Sequence, residues 1–243
     1  MTYCVALKLD RGLAFMSDTR TNAGVDNVAT FRKMHVWEKP GERVIVLMSA
    51  GNLATTQAVV SLLDERTKAF DKRNPPLLET PSMFQTARLV GDTLREVIQY
   101  SSPTGQKQDS FFNASLILGG QIAGTEPRLF MIYPEGNFIE STEDSPFFQI
   151  GETKYGRPII VRAYNRQMSF AEAAKLLLVS FDSTAKANLS VGLPLDLAWY
   201  EKDALKLSSR RRIGNDDPYY RSISEGWSNS LREAFTRLPD YPG

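Results

Sequence analysis

The segment "MTYCVALKLDRGLAFMSDTR" begins a strand directly behind the initiator methionine. Its side chains alternate with a period of two, which is typical of a β-strand. Asp10-Arg11-Gly12 fits a tight turn, because glycine adopts a positive φ without strain, and a second strand starts at Leu13. The alternating residues are Tyr3, Val5, Leu7 and Leu9 on one face and Cys4, Ala6, Lys8 and Asp10 on the other. A chain end built into a sheet has a fixed position, so an α-amine placed there can take part in chemistry.

The order of the remaining elements predicts an α+β fold. Strand patterns near residues 34–51 precede two long helical patterns, which extend to about residue 100. Short strand patterns continue to residue 151, and two helical patterns and a further strand follow. Paired helices between groups of antiparallel hairpins predict a four-layer αββα sandwich, with two antiparallel sheets between helix layers.

The chain shows no shift of composition before about residue 207, so we expect one domain over residues 1–207. The segment 208–243 differs, because it begins with a basic run and then carries aromatic residues at helical spacing. We expect this C-terminal extension to contain an amphipathic helix that serves assembly or docking.

Composition excludes several classes of function. The formal net charge of +1 over 243 residues gives no field that favours nucleic acid or an anionic membrane. The apolar runs are shorter than a membrane span, and the first residues lack a signal-peptide pattern, so we expect a cytoplasmic protein without membrane or nucleic-acid partners. With one cysteine and one histidine, the chain offers no disulfide within itself and no multi-histidine metal site, and we expect no metal or cofactor. His35, the single histidine, is expected to be a half-exposed strand residue.

Thr2 is the candidate nucleophile. Methionine aminopeptidases favour a small residue at position two, so Thr2 is expected to become the mature N-terminus. Its Oγ can attack a carbonyl carbon while its own α-amine takes the proton. The reference pKa of an α-amine is about 7.7–8.0, so roughly a tenth to a fifth of it is already neutral at pH 7.

Four further residues are placed to assist Thr2. Asp18 and Arg20 follow the second strand and lie across the hairpin from Thr2, and Lys33 precedes the third strand. A nearby cation favours both the neutral amine and the alkoxide, and a carboxylate balances its charge. Gly51 ends a buried strand pattern, where its backbone N–H can stabilise an oxyanion.

These motifs resemble those of proteasome β-type subunits and of their bacterial relative HslV, and most of all those of the bacterial Anbu group, the ancestral β-subunits. The resemblance covers about residues 2–206 and rests on the threonine start, "SDTR", "FRKMHVW", "VLMSAGNLATTQ", "LILGG", "LFMIYPEGNFIE" and "FFQIGETKYGRP". It implies the fold of an N-terminal-nucleophile hydrolase and a threonine peptidase mechanism.

By position, the resemblance implies that Thr2 is the nucleophile, that Asp18 and Lys33 form the charged pair beside it, and that Gly51 donates to the oxyanion. It also implies that Arg20 supports the loop. Asp182 and Ser183, at the end of a long helix, match the "D-S" part of a family motif near the amine. The chain departs from the family at two places where serine is usual, which here hold Glu152 and Ala185.

The resemblance implies a threonine peptidase that acts on peptides or unfolded proteins within a homo-oligomer, either a ring or an open helical assembly. The chain has no ATPase motif, so any unfolding motor is a separate protein. Two alternatives stay open, and the altered serine positions keep the second of them. One is an amidohydrolase with a narrow, non-proteolytic substrate, and the other is a catalytically weak assembly or scaffold subunit.

Overall fold

The computed structural model describes residues 2–22, 28–68, 76–101 and 110–242. Within these ranges the helices are α1 (Leu53–Lys68), α2 (Met83–Ser101), α3 (Arg157–Ala163), α4 (Phe170–Ala187) and α5 (Pro218–Thr236). The strands are β1 (Tyr3–Leu9), β2 (Gly12–Asp18), β3 (Arg20–Asn22), β4 (Val28–Thr30), β5 (Met34–Lys39), β6 (Arg43–Gly51), β7 (Ala114–Ile122), β8 (Arg128–Ile132), β9 (Phe138–Glu140), β10 (Phe147–Gly151), β11 (Leu195–Glu201) and β12 (Ser209–Ile213).

The strands form two five-stranded antiparallel sheets and one small hairpin. The first sheet has the order β10-β1-β2-β11-β12, and the second has the order β5-β6-β7-β8-β9. Strands β3 and β4 pair with each other between β2 and β5 in the chain. The N-terminal strand is therefore internal to its sheet, with β10 on one side and β2 on the other.

The layers follow from the alternation of side chains along the strands. In β1, Tyr3, Val5 and Leu7 pack in one core with residues of α3 and α4. Cys4 and Ala6 point the other way, into a core shared with the second sheet. A third core joins the outer face of the second sheet to α1 and α2. The predicted four-layer αββα sandwich is confirmed.

Local sequence signals set the helix boundaries. Asn52 caps α1, because its side-chain oxygen accepts a hydrogen bond from the backbone N–H of Thr55 at 3.0 Å. Ser169 and Glu172 form a capping box at the start of α4. Asp217 caps α5 by accepting from the N–H of Tyr220. The predicted C-terminal amphipathic helix is thus present, and its start is fixed by a side-chain cap.

The expected domain boundary near residue 207 does not interrupt the first sheet. β12 lies beyond that position and pairs with β11 along its full length. α5 then packs against α4. The division into residues 1–207 and an assembly segment 208–243 therefore stays a prediction about function. No helix in the described ranges is long and apolar enough to cross a membrane.

The contact between the two sheets is expected to carry much of the stability. Phe15 is fully buried there, and its ring lies so close to Gly119 that a Cβ on that glycine would meet it at 2.7 Å. We predict that Phe15→Ala lowers the free energy of unfolding by about 3–5 kcal/mol, because it removes an aromatic ring from a closed core. The matched variant Phe111→Ala truncates a ring that is 76% exposed and should change it by less than about 0.5 kcal/mol. Urea unfolding of both variants measures the difference, and equal losses would contradict the prediction.

Candidate active site

The N-terminal end of β1 borders a cleft of about 600 Å³. Thr2, Lys33 and Gly51 all line this cleft, as do Ser49 and His35. These residues come from the start of β1 and from the two neighbouring strands β5 and β6 of the other sheet. The structure therefore brings the predicted nucleophile, cation and glycine together at one edge of the sandwich.

The hairpin register positions the acid beside Thr2. Cys4 pairs with Ser17, so the continued register sets Tyr3 level with Asp18. The backbone N–H of Tyr3 donates to Oδ1 of Asp18 at 3.0 Å. The residue that follows the candidate nucleophile is thus fixed directly to the predicted carboxylate.

Asp18 and Lys33 form a buried ion pair. Nζ of Lys33 lies 2.8 Å from Oδ1 of Asp18, and their side chains are 5% and 0% exposed. The same Nζ donates to the carbonyl oxygen of Arg20 at 2.5 Å. Burial raises the pKa of Asp18, and the Lys33 ammonium and the N–H of Tyr3 oppose that rise. The pair is held by hydrogen bonds at both ends, which fixes the ammonium at the cleft.

Arg20 joins this pair to the loop after α4. Its guanidinium donates to the carbonyl oxygen of Leu189 at 3.0 Å. It also lies against Gly192, where an added Cβ would meet Cζ of Arg20 at 2.6 Å. The backbone of Arg20 therefore holds Lys33 and its side chain holds the loop, while its supporting role in the site stays a prediction.

Thr2 is held on its other side by β10. The N–H of Glu152 donates to the carbonyl oxygen of Thr2 at 2.7 Å. Gly151 has a φ of +84°, and a Cβ there would lie 1.9 Å from that same oxygen. Oε2 of Glu152 accepts from Nδ2 of Asn188 at 2.9 Å, and Glu152 is 7% exposed. The backbone of Glu152 therefore holds Thr2, and its buried carboxylate is held by Asn188, at a position where serine is usual in the family that the sequence resembles.

Comparison with protein families identifies the relationship. The family model described as "Proteasome subunit" matches residues 2–199. The proteasome subunit beta of Haloquadratum walsbyi is 23% identical over 208 residues, covering 85% of this chain and 76% of that protein.

Solved structures give a higher similarity. Anbu from Hyphomicrobium sp. strain MC1 is 52% identical with a TM-score of 0.93, and the match covers 100% of both chains. Anbu, the ancestral beta-subunit, from Yersinia bercovieri is 50% identical with a TM-score of 0.92, covering 100% of this chain and 99% of that one. The helical assembly of the Anbu complex from Pseudomonas aeruginosa is 44% identical with a TM-score of 0.90 and the same coverage.

The chain belongs to the proteasome subunit family, in its Anbu group.

In this Anbu-group chain, Asp182 and Ser183 make their described contacts within α4 and with α5, and their role near the amine stays a prediction. Asp182 accepts hydrogen bonds from Lys186 and from the hydroxyl of Tyr220, and Ser183 lines a groove that includes Trp227. These two residues are not the last of the helix, because α4 runs on to Ala187. At about 1.5 Å per residue, the last residue of α4 lies about 7.5 Å beyond Asp182.

The sequence analysis missed Asn188. It is the C-cap residue of α4, and its side chain contacts Glu152. The sequence feature that could have identified it is an asparagine directly after a strong helical pattern, in the stretch "KANLSVG". An asparagine in this place is typical of a helix end. Asn188 therefore joins the C-terminal end of α4 to Glu152.

His35 lies on the wall of the cleft and is partly buried, as expected for a strand residue. Burial lowers the pKa of its imidazole, with the charge of Asp64 acting in the opposite direction. Within the described ranges, no three His, Cys, Asp or Glu residues are grouped so that they can hold a metal ion.

The lowered pKa of His35 predicts a loss of stability in acid. The folded state holds the imidazole neutral, so below about pH 6.5 the unfolded chain takes up a proton that the folded chain resists. The stability that His35 contributes is present above that pH and is lost as the pH falls toward its folded pKa. We predict that the unfolding midpoint in urea falls more for the wild-type protein than for His35→Gln between pH 7.5 and 5.5. Parallel shifts of the two proteins would contradict this.

Proposed function

We propose that this chain is a threonine-type peptidase subunit that hydrolyses peptide bonds with Thr2 after removal of Met1. One observation carries the proposal. A buried ammonium, Lys33, is fixed by Asp18 on the wall of the same cleft that Thr2 lines. An ion pair with a purely structural role is more stable at the surface, because burial removes the hydration of both charges.

The chemistry follows from the positions of these groups. The Oγ of Thr2 attacks the carbonyl carbon of the substrate while its freed α-amine accepts the proton, directly or through water. The ammonium of Lys33 stabilises the developing alkoxide, and Asp18 balances that charge. The N–H of Gly51 is proposed to donate to the oxyanion of the tetrahedral intermediate. Gly51 has a φ of +118°, and a Cβ there would meet the carbonyl oxygen of Asn113 at 2.4 Å, so this backbone conformation needs glycine.

Every proton transfer in this scheme uses groups of Thr2 itself, so the scheme calls for no metal or cofactor. The cleft is open and large enough for the side chain of a peptide. We propose peptides or unfolded proteins as substrates, with any ATPase that unfolds them supplied by a separate cytoplasmic partner. The helical assembly of the Anbu complex from Pseudomonas aeruginosa supports a homo-oligomer of this chain, as a ring or an open helix.

Glu152 and Asn188 favour a second candidate, an assembly subunit with weak activity. A carboxylate beside an amine favours the protonated form, and an ammonium cannot accept the proton of Oγ. Glu152 is fixed next to Thr2 by its own backbone N–H.

The amidohydrolase with a narrow substrate keeps the same mechanism and differs from the peptidase in its substrate alone. Substrate profiling of the processed assembly therefore separates the two.

The role of Thr2 is tested by covalent labelling. We predict that a peptide vinyl sulfone or epoxyketone labels the wild-type protein at Thr2 and that Thr2→Ala abolishes the label. Thr2→Ser keeps a hydroxyl on the same backbone and should retain labelling. Lys33→Met, which keeps the apolar stem and removes the ammonium, should reduce the labelling rate at least about 100-fold, as expected for loss of an electrostatic stabiliser. Intact-mass spectrometry detects the adduct, and its absence from Thr2→Ala assigns it to Thr2.

The same mass spectrum reports whether Met1 is removed. A retained methionine would acylate the proposed base and place the free amine about 3.8 Å further along the chain. An unlabelled Thr2 in fully processed, folded protein would reject the peptidase and favour the weak assembly subunit.

The charge of Glu152 is tested by a conservative change. We predict that Glu152→Gln raises the rate of Thr2 labelling at pH 7 by up to roughly tenfold, because one unit of pKa change in the amine alters its neutral fraction by about that factor. Glu126→Gln is a matched control, since Glu126 pairs with Lys202 at the surface and does not line the Thr2 cleft. A fall in the rate would instead make Glu152 a group that positions the amine.

A further inference from the structure

The Thr2 cleft lies on the outer face of the second sheet. Side chains alternate along β5, so Met34 and Val36 pack into the core between the sheets, whereas Trp37 packs against the helix layer of α1 and α2. His35 points to the same side as Trp37 and lines the cleft. The first turns of α1 form a further wall. The cleft therefore runs from Thr2 between the second sheet and α1.

The charged side chains that line the cleft are all positive among the residues that the structure describes. They are Arg32 and Lys33, and the other lining residues are apolar, hydroxyl or amide side chains together with His35. The charge of Lys33 is balanced by Asp18, which lies 2.8 Å from its Nζ. Arg32 is exposed at the end of β5 and lines the same cleft. Its guanidinium therefore gives the cleft a net positive charge.

A second arginine lies close to the first. Arg210 of β12 donates to the carbonyl oxygen of Met34 at 3.3 Å, which places its guanidinium beside the start of β5. Burial lowers the pKa of Arg210, and the nearby charge of Arg32 lowers it further. Burial also lowers the pKa of His35; Asp64 opposes that effect, and both arginines add to it. The two guanidinium groups and the imidazole thus disfavour positive charge on one another, and an anion bound among them would be stabilised.

The acids near these arginines are bound outside the cleft. Asp196 accepts two hydrogen bonds from Arg212, at 2.8 and 2.9 Å. Asp64 accepts from Nε1 of Trp37 at 2.6 Å, and Glu38 accepts from a backbone N–H. None of the three lines the cleft. They weaken the positive field behind the cleft wall, but they leave the side that faces a substrate without a carboxylate from the described residues.

The position of this charge relative to Thr2 decides which part of a substrate it meets. In the proposed reaction the attacked carbonyl lies between the Oγ of Thr2 and the N–H of Gly51. The side chain of the residue that carries this carbonyl starts two bonds away, so it enters the cleft of about 600 Å³ that both residues line. A smaller pocket of about 160 Å³ lies at Gly51 and Gly151, and none of the described residues that line it is charged. The positive charge therefore belongs to the larger cleft alone.

We propose that the cleft selects substrates with a carboxylate side chain, glutamate or aspartate, on the residue whose carbonyl Thr2 attacks. Arg32 binds this carboxylate, and Arg210 adds a second positive charge behind it. A guanidinium suits this role because it can bind both carboxylate oxygens with two parallel N–H···O bonds. The inference rests on the peptidase chemistry of the proposed function and adds the class of side chain that this chemistry accepts.

Two probes that differ in one charge test the selection. They are peptide vinyl sulfones with glutamate, or its neutral isostere glutamine, on the residue next to the reactive group. The glutamate probe should label Thr2 at least about tenfold faster than the glutamine probe, which is the factor expected for a hydrogen bond between charged groups. Added salt should reduce this ratio, because it screens charges that are open to solvent.

The arginine is tested with the same two probes. Arg32→Gln should bring the ratio of the two labelling rates close to one, and Arg32→Glu should make a lysine probe the faster one, which a merely structural arginine would not do. Arg88→Gln is the matched control, because it removes an exposed arginine of α2 that does not line the cleft, and it should leave the ratio unchanged. A ratio near one in the wild-type protein, or a ratio that Arg32→Gln leaves as it was, would overturn the proposal.

Binding without chemistry separates this inference from the proposed reaction. Thr2→Ala lacks the nucleophile, so calorimetry with acetylated peptides that end in glutamate amide or glutamine amide measures binding alone. Tighter binding of the glutamate peptide, together with wild-type protein that no probe labels, rejects the peptidase and keeps the charge selection. Equal labelling rates together with equal binding reject the charge selection alone, and the absence of both labelling and binding rejects both.

Discussion

The buried ion pair between Asp18 and Lys33 is the interaction on which the rest of the site depends. Taking two charges out of water costs more than a bare pair returns, and such a pair persists where further hydrogen bonds satisfy both groups. Here the N–H of Tyr3 supports the carboxylate and the carbonyl of Arg20 supports the ammonium. The pair therefore ties β1 and β2 of one sheet to the start of β5 in the other, and it orients the residue next to Thr2 as a consequence of folding.

The position of Thr2 follows from backbone pairing on both sides of β1. The register with β2 brings the second residue to the level of the ion pair, and the N–H of Glu152 holds its carbonyl from β10. The close approach at Gly151 allows this contact, because any side chain there would collide with the same carbonyl. A chain end that is normally frayed is thus fixed by two neighbouring strands.

The sequence predicted the parts of the site that depend on short-range pattern. Strand alternation and the turn at Gly12 gave the hairpin, and the hairpin places Asp18 opposite the start of β1. The role of Asp182 near the amine stays a prediction, and its contacts in the structure are to Lys186 and Tyr220. Asn188 was missed because its partner is distant in the sequence. Its contact with Glu152 joins segments 36 residues apart, a pairing that no local pattern in one sequence encodes.

The candidate site and the groove that Ser183 and Trp227 line are joined by one short stretch of chain. Glu152 stands beside Thr2, and Tyr155, three residues later, lines the groove. Between that groove and β1, Gly156 is pressed against Tyr3, so closely that a Cβ would meet the hydroxyl at 2.2 Å. That hydroxyl is also hydrogen-bonded to Ser180 of α4 at 2.8 Å. The groove and the backbone contact that holds Thr2 therefore share one short segment, from Glu152 to Gly156.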